Sequence, residues 1–460
     1  MLSVLRNRTY RRLLGAQIVA LTGTGLATVA LALLAYDLAG TDAGSVLGTA
    51  LAVKMVAYVA IAPAVAAVAD RLPRRALLVG ADLARAGAAL LLPFVDQVWQ
   101  VYVLIFLLQA ASATFTPTFQ AVVPDVLPAE RDYTRALSLS RLAYDLESLF
   151  SPALAAALLS LITYNWLFLG TVAGFLASAA LVASAVLPGP ARSSPLASSS
   201  PTDSTTASAP PTGSVRTRAT AGLRLFLAVP QLRALLALDL AVAAASAMVT
   251  VNTVVYVRDL LGRSAGDLPP ALGAFGAGSM VVALLLPRVL DRVPDRAVML
   301  RGALLLTPVF VVLGAITEAG GGSWRWPALL AAWAAFGAAC SMVLTPTGRL
   351  IRRAVPAEAR TSAFAAQFSL SHSCWLLTYP LAGWLGATAG FRSAVLALGA
   401  VALAAALLAV RLWPAGGPAP VEHEHAGLPA WHPHLADARR VGGGWRHSHH
   451  PLLDGLHAHG

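Results

Sequence analysis

Long apolar runs broken by short clusters of charge, proline and glycine repeat along the whole chain. Twelve such runs stand at residues 13–36, 46–69, 76–94, 98–121, 134–161, 166–187, 233–256, 269–290, 297–317, 327–347, 362–387 and 393–413. Each is close to the roughly 20 residues that carry an α-helix across about 30 Å of hydrocarbon. The pattern predicts an all-α polytopic membrane protein with 12 transmembrane helices.

The charged residues refine this picture. Loops after even-numbered runs are rich in arginine: Arg71, Arg74 and Arg75; Arg131 and Arg135; Arg288, Arg292 and Arg296; Arg349, Arg352, Arg353 and Arg360. Loops after odd-numbered runs are acidic or nearly neutral, as with Asp37 and Asp42, or Asp96 alone. Cytoplasmic loops collect Arg and Lys, so both termini and the central linker are expected in the cytoplasm of a cell whose inner membrane holds the protein. The net charge of +11 then reflects orientation in the lipid bilayer, and no nucleic-acid partner is expected. Composition agrees: 57% of residues are hydrophobic and only 12% charged, against about a quarter charged in soluble domains. The basic start leads into an apolar run too long for a signal peptide. The two cysteines, Cys340 and Cys374, sit inside apolar runs and exclude a disulfide framework.

Residues 191–215 are mostly Ser, Thr, Pro and Ala, too polar to pack. The expected organisation is a six-helix bundle over 1–190, a disordered linker over 191–221, a second six-helix bundle over 222–413 and a His-rich tail over 414–460. The two halves echo each other. Asp70-Arg71-Leu72-Pro73-Arg74-Arg75 returns as Asp291-Arg292-Val293-Pro294-Asp295-Arg296, and Thr116-Pro117-Thr118 returns as Thr345-Pro346-Thr347. Parallel six-helix repeats about an axis along the membrane normal build the major facilitator transporters, and the chain resembles that superfamily from about residue 10 to 413. The Asp70–Arg75 loop is similar to the signature between its second and third helices, with Ala66 and Pro73 where glycines are usual. On that resemblance Asp70, Arg71, Arg74, Arg75, Asp291, Arg292 and Arg296 are expected as gating residues.

Polar groups inside hydrocarbon are costly, about 2.5–3.5 kcal/mol for a central charge on insertion scales, and mark candidate sites. Lys54, the only lysine, lies about eight residues into the second run. Its neighbours exclude a Walker A loop; neither a nucleophile-base arrangement nor a cofactor loop is present, so no enzyme is expected and no cofactor is required. Arg141 and Asp145 are spaced to pair on one helix face, while Glu147 points elsewhere; with Lys54 and Asp239 these carboxylates are candidates for proton coupling. The eleventh run holds Ser371-His372-Ser373-Cys374-Trp375, whose imidazole and thiol suit borderline transition metals. One regular helix does not aim both at a single ion. By analogy with the superfamily, the fifth and eleventh helices flank the central cavity, so carboxylate, imidazole and thiol are expected to converge there.

After Trp413-Pro414, nine of the ten histidines cluster: His423 and His425, His432 and His434, His447, His449 and His450, His457 and His459. Residues two apart in extended chain project to one side, so each pair suits chelation, and the tail reads as a flexible metal collector. The segment Ala52–Val59, the Asp70–Arg75 loop, Ser371–Trp375 and this tail resemble the nickel-resistance exporters (NreB type) of the superfamily. That resemblance implies export of Ni2+ or Co2+ as substrate in exchange for protons; the carrier is expected to be a monomer. The alternative is efflux of drugs or siderophores by the same fold, with the tail incidental.

Overall fold

The computed structural model describes residues 2–39, 43–69, 72–187, 215–264, 267–356, 359–413, 421–425, 439–441 and 444–449. Fourteen α-helices account for most of them: α1 (Arg8–Ala39), α2 (Ala43–Ala69), α3 (Arg74–Leu91), α4 (Val98–Val126), α5 (Glu130–Leu159), α6 (Tyr164–Ser184), α7 (Val215–Ala228), α8 (Pro230–Val255), α9 (Leu268–Leu290), α10 (Asp295–Glu318), α11 (Arg325–Leu344), α12 (Thr347–Ala354), α13 (Arg360–Thr388) and α14 (Gly390–Leu412). Each predicted apolar run is helical over most of its length. Nine of the described helical stretches are long and apolar enough to cross a membrane, and Ala52–Val65 is a shorter apolar helix. Many large apolar side chains stay exposed along these helices, Leu107, Val281, Val311 and Leu377 among them, as expected where lipid is the solvent.

Proline and polar residues set the helix ends. Pro73 and Pro294 stand immediately before α3 and α10, and Pro230 opens α8, positions where its missing N–H costs no helix bond. Gln97 caps α4, and the Gln100 side chain accepts the Gln97 N–H at 3.1 Å. The two Thr-Pro-Thr echoes part company. α4 runs through Pro117 and Pro124 to Val126, whereas α11 ends at Leu344 and Pro346 starts the short α12.

Helices in lipid gain little from apolar burial against one another, so close packing of small residues holds them together. α9 crosses α11 where a Cβ on Gly278 would meet the Ala334 carbonyl and one on Gly337 the Phe275 carbonyl. α1 meets α6 through Gly23 and Gly174, and Thr171 Oγ1 donates to the Gly23 carbonyl at 2.9 Å.

Two expectations change. The linker was expected to stay irregular to residue 221, but α7 begins at Val215 and buries Phe226 fully. One buried aromatic gives this basic stretch a packing face that its polar neighbours lack. The tail was expected to be flexible throughout, yet its described residues form strands β1 (Val421–His425), β2 (Arg439–Val441) and β3 (Gly444–His449), antiparallel in the order β1-β3-β2. Val421, Val441 and Trp445 supply residues of high strand propensity. Met1–Ala409 and Val410–Gly460 are separate units.

Candidate functional site

Charge gathers at two levels of the helical unit. The first is the arginine-rich end. Arg74 at the start of α3 pairs with Asp125 near the end of α4, and Asp125 also pairs with Arg360 at the start of α13, at 3.2 Å. Glu130 in the first turn of α5 pairs with Arg349 of α12 at 2.8 Å and with Arg353. The same two arginines pair with Asp295, first residue of α10, at 3.1 and 2.8 Å. Arg349 also donates to Thr134 Oγ1 at 3.2 Å and to the Leu290 carbonyl at 3.3 Å. Arg352 donates to the Pro128 carbonyl and lies 5.2 Å from the Tyr133 ring centre. The helices before residue 188 are thereby tied to those after 214.

Of the expected gating residues, Arg74 joins this network directly. Asp291 pairs with Arg131 at 3.4 Å, with 37% and 69% of their side chains exposed. Arg75 and Arg292 are exposed and Arg296 is half-buried. Asp70 and Arg71 lie outside the described residues. Glu130, Asp125, Asp295, Arg349 and Arg353 carry most of the network, although none was among the expected gating residues. Acids in the first turns of α5 and α10, favoured there by the helix dipole, were the available signal.

The second level lies within the membrane, along the seam between α2 and α13. The Lys54 ammonium is 5.6 Å from the Tyr58 ring centre and interacts electrostatically with Glu147 of α5 and His372 of α13. Tyr58 donates its hydroxyl to Gln109 Oε1 of α4 at 2.8 Å. Its ring packs against Phe368 and His372 at 4.9 and 4.7 Å, and His372 also packs on Phe368 and Trp375 at 4.2 and 5.5 Å. Ser369 closes the seam by donating to the Val59 carbonyl at 2.6 Å. Glu147 is half-buried and hydrogen-bonds with Ser151. It approaches α1 so closely that a Cβ on Gly25 would collide with Ser151 and Glu147.

Asp145 pairs with Arg141 at 3.1 Å as its spacing predicts, and Arg141 Nε donates to Ser279 Oγ of α9 at 3.0 Å. Asp239 of α8 is fully buried; Gln367 of α13 donates to its Oδ2 at 2.8 Å, while its Oδ1 finds no hydrogen-bond partner among the described residues. Sequence reading missed a third buried charge pair, Asp82 with Arg85 on α3. Ser178 of α6 donates to Asp82 at 2.7 Å, and Phe115 and Phe175 flank the guanidinium at 4.4 and 4.5 Å. An acid and an arginine three apart inside an apolar run were its signal.

The expected convergence of carboxylate, imidazole and thiol does not form. Among the described residues no group of three or more His, Cys, Asp and Glu side chains is placed to hold a metal. His372 Nδ1 is engaged 2.7 Å from the Phe368 carbonyl, its ring is enclosed by aromatics, and the nearby charge is the Lys54 cation. Cys374 is buried and donates to the Leu370 carbonyl at 3.5 Å. A cation beside the imidazole opposes a second cation, and the ring contacts of His372 are with Tyr58, Phe368 and Trp375. In the tail, His423 and His447 are register partners across β1 and β3, and His425 and His449 lie in the same strands. His432, His434, His450, His457 and His459 lie outside the described residues.

The family model described as Major Facilitator Superfamily matches residues 13–325 and 271–450. The chain is 29% identical over 167 residues to Macrolide efflux protein A of Streptococcus pyogenes, covering 35% of this chain and 41% of that protein. It is 32% identical over 113 residues to Macrolide efflux protein A of Enterococcus faecalis, covering 24% and 35%. The chain thus matches about two-fifths or less of the length of these relatives. Among solved structures, the human organic anion transporter MFSD10 (TETRAN) superposes with a TM-score of 0.66 at 16% identity, covering 87% of this chain and 99% of that one. The E. coli Fucose:proton symporter FucP superposes with a TM-score of 0.66 at 14% identity, covering 88% and 98%.

Proposed function

Because the chain belongs to the Major Facilitator Superfamily, we propose that it is a secondary active exporter of an amphipathic organic molecule, driven by proton exchange. The observation that carries this reading is the α2–α13 seam. Tyr58, Phe368, His372 and Trp375 offer ring surfaces beside one ammonium, Lys54, and one carboxylate, Glu147. Aromatic walls with a few placed polar groups suit a drug-sized apolar body. Similarity to Macrolide efflux protein A supports the same direction.

In this reading the arginine-rich end faces the cytoplasm, with both termini on that side of the inner membrane. Its ion pairs are closed in the described state, so the path opens outward. Glu147 exchanges its electrostatic partner Lys54 for a proton. A neutral Glu147 leaves the Lys54 charge uncompensated in hydrocarbon, which is costly, and this bias drives the halves to rock. Asp239, with one oxygen unpartnered among the described residues, is the acid of the second half, and Asp145 stays held by Arg141.

A second reading, export of Ni2+ or Co2+, rests on the tail, where the strand register sets His423 opposite His447. One experiment separates the two. The chain is expressed in cells lacking their own drug pumps, and accumulation of a labelled macrolide and of nickel is followed. The organic-cargo reading predicts several-fold lower macrolide accumulation, restored by an uncoupler, with nickel unchanged. Lower nickel with unchanged macrolide overturns it.

A further inference from the structure

The helix α7 stands outside everything used so far. It packs against both α2 and α13, across the seam, and against the start of α8. The contact with α13 is tight: a Cβ on Gly222 would collide with the Ser362 carbonyl and touch Ala366. Ser362 lies two residues from Arg360, so α7 crosses the seam at its arginine-rich end. Phe226 is buried on this side. About a quarter-turn round the helix from Gly222 and Phe226, Leu223 and Leu227, one turn apart, are 39% and 47% exposed, and Arg224, on the side away from Phe226, is exposed.

From Val215 to Arg233 the chain carries Arg216, Arg218, Arg224 and Arg233 and no acid. An amphipathic helix with apolar residues beside arginines lies in the membrane interface, held by apolar burial and by attraction to anionic lipids. The exposed leucines give α7 the first property, and the exposed Arg224, in a basic stretch without an acid, the second.

We propose that α7 is a docking surface for anionic phospholipid headgroups, and that lipid docking holds it across α2 and α13, keeping this end of the seam shut. The inference does not depend on the cargo. Opening the seam moves α2 and α13 apart, so α7 must let go of one of them; lipid that fixes α7 in its present position favours the closed state.

The native cysteines are buried, so Ala228→Cys, at an exposed position on α7, can be labelled selectively in the full-length protein. Nanodiscs of phosphatidylcholine are compared with discs of equal parts phosphatidylcholine and phosphatidylglycerol. Headgroup-level nitroxide lipid should quench the label several-fold more in the anionic discs. Arg224→Gln should weaken the lipid-dependent docking about fivefold, and Arg224→Lys should keep it, as expected for one basic charge at an anionic surface. Raised salt should act like Arg224→Gln. In separate protein, a thiol at Ser369→Cys should react several-fold more slowly with a charged maleimide in anionic discs. Equal quenching in both compositions, or an anionic effect that Arg224→Gln leaves intact, overturns the docking. Lipid-dependent quenching with an unchanged Ser369→Cys reaction overturns the coupling to the seam.

Discussion

The arginine-rich end and the mid-membrane seam both hold charges from distant parts of the chain, but they are built on opposite terms. At the end, each buried charge has several partners: Arg349 meets Glu130, Asp295, Thr134 and the Leu290 carbonyl, and Asp295 meets two arginines. At the seam Lys54 has Glu147 as its acid, and between α8 and α13 Asp239 has one amide donor among the described residues. Redundant pairing makes a latch that stays shut until several bonds break together. Sparse pairing makes a site whose balance a single proton can tip. The fold places the redundant set where water is near and the sparse set where the cost of an unpaired charge is highest.

The largest expected effect tests the latch. Arg349→Ala strips Glu130 and Asp295 of a shared partner, and Asp295 is only 4% exposed. Removing one member of a buried pair costs about 3–5 kcal/mol, so thermal unfolding in detergent should shift markedly and thiols placed in the seam should become reactive. Next is the seam. Glu147→Gln should abolish proton-driven cargo uptake into everted vesicles, a loss of tenfold or more, while cargo still binds the purified protein. Gly25→Ala should follow, because its Cβ would collide with Ser151 and Glu147. Overpacking of this kind costs about 1–3 kcal/mol and should lower both melting temperature and uptake. The smallest effect belongs to Arg131→Ala. Its pair with Asp291 is mostly exposed and is expected to contribute at most about 1 kcal/mol, so transport and melting should stay near wild type. A large loss there would mean that the latch is not carried by its buried members.

The helices were legible because a bilayer demands long apolar runs, and the arginine clusters were legible because orientation demands their segregation. Pairing was legible only when local, as for Arg141 and Asp145 on one helix face. Glu130 with Arg349 joins residues more than two hundred positions apart, and no spacing rule reaches that far. α7 was hidden because a 14-residue basic helix with one buried aromatic has the composition of a linker. The surroundings of His372 were hidden for a related reason: imidazole packs on rings as readily as it binds metal, and its ring contact with Tyr58 and its charged neighbour Lys54 come from α2. The Asp82–Arg85 pair was within reach of a local rule and was passed over.

The decisive question is whether the sparse seam charges couple protons to an organic cargo. Purified protein is sealed into proteoliposomes holding a pH-sensitive dye, and a macrolide is added outside. Proton movement opposite to the macrolide is expected, lost in Glu147→Gln and absent when nickel is added instead. Proton movement driven by nickel and not by the macrolide, or a macrolide response unchanged in Glu147→Gln, would contradict this coupling.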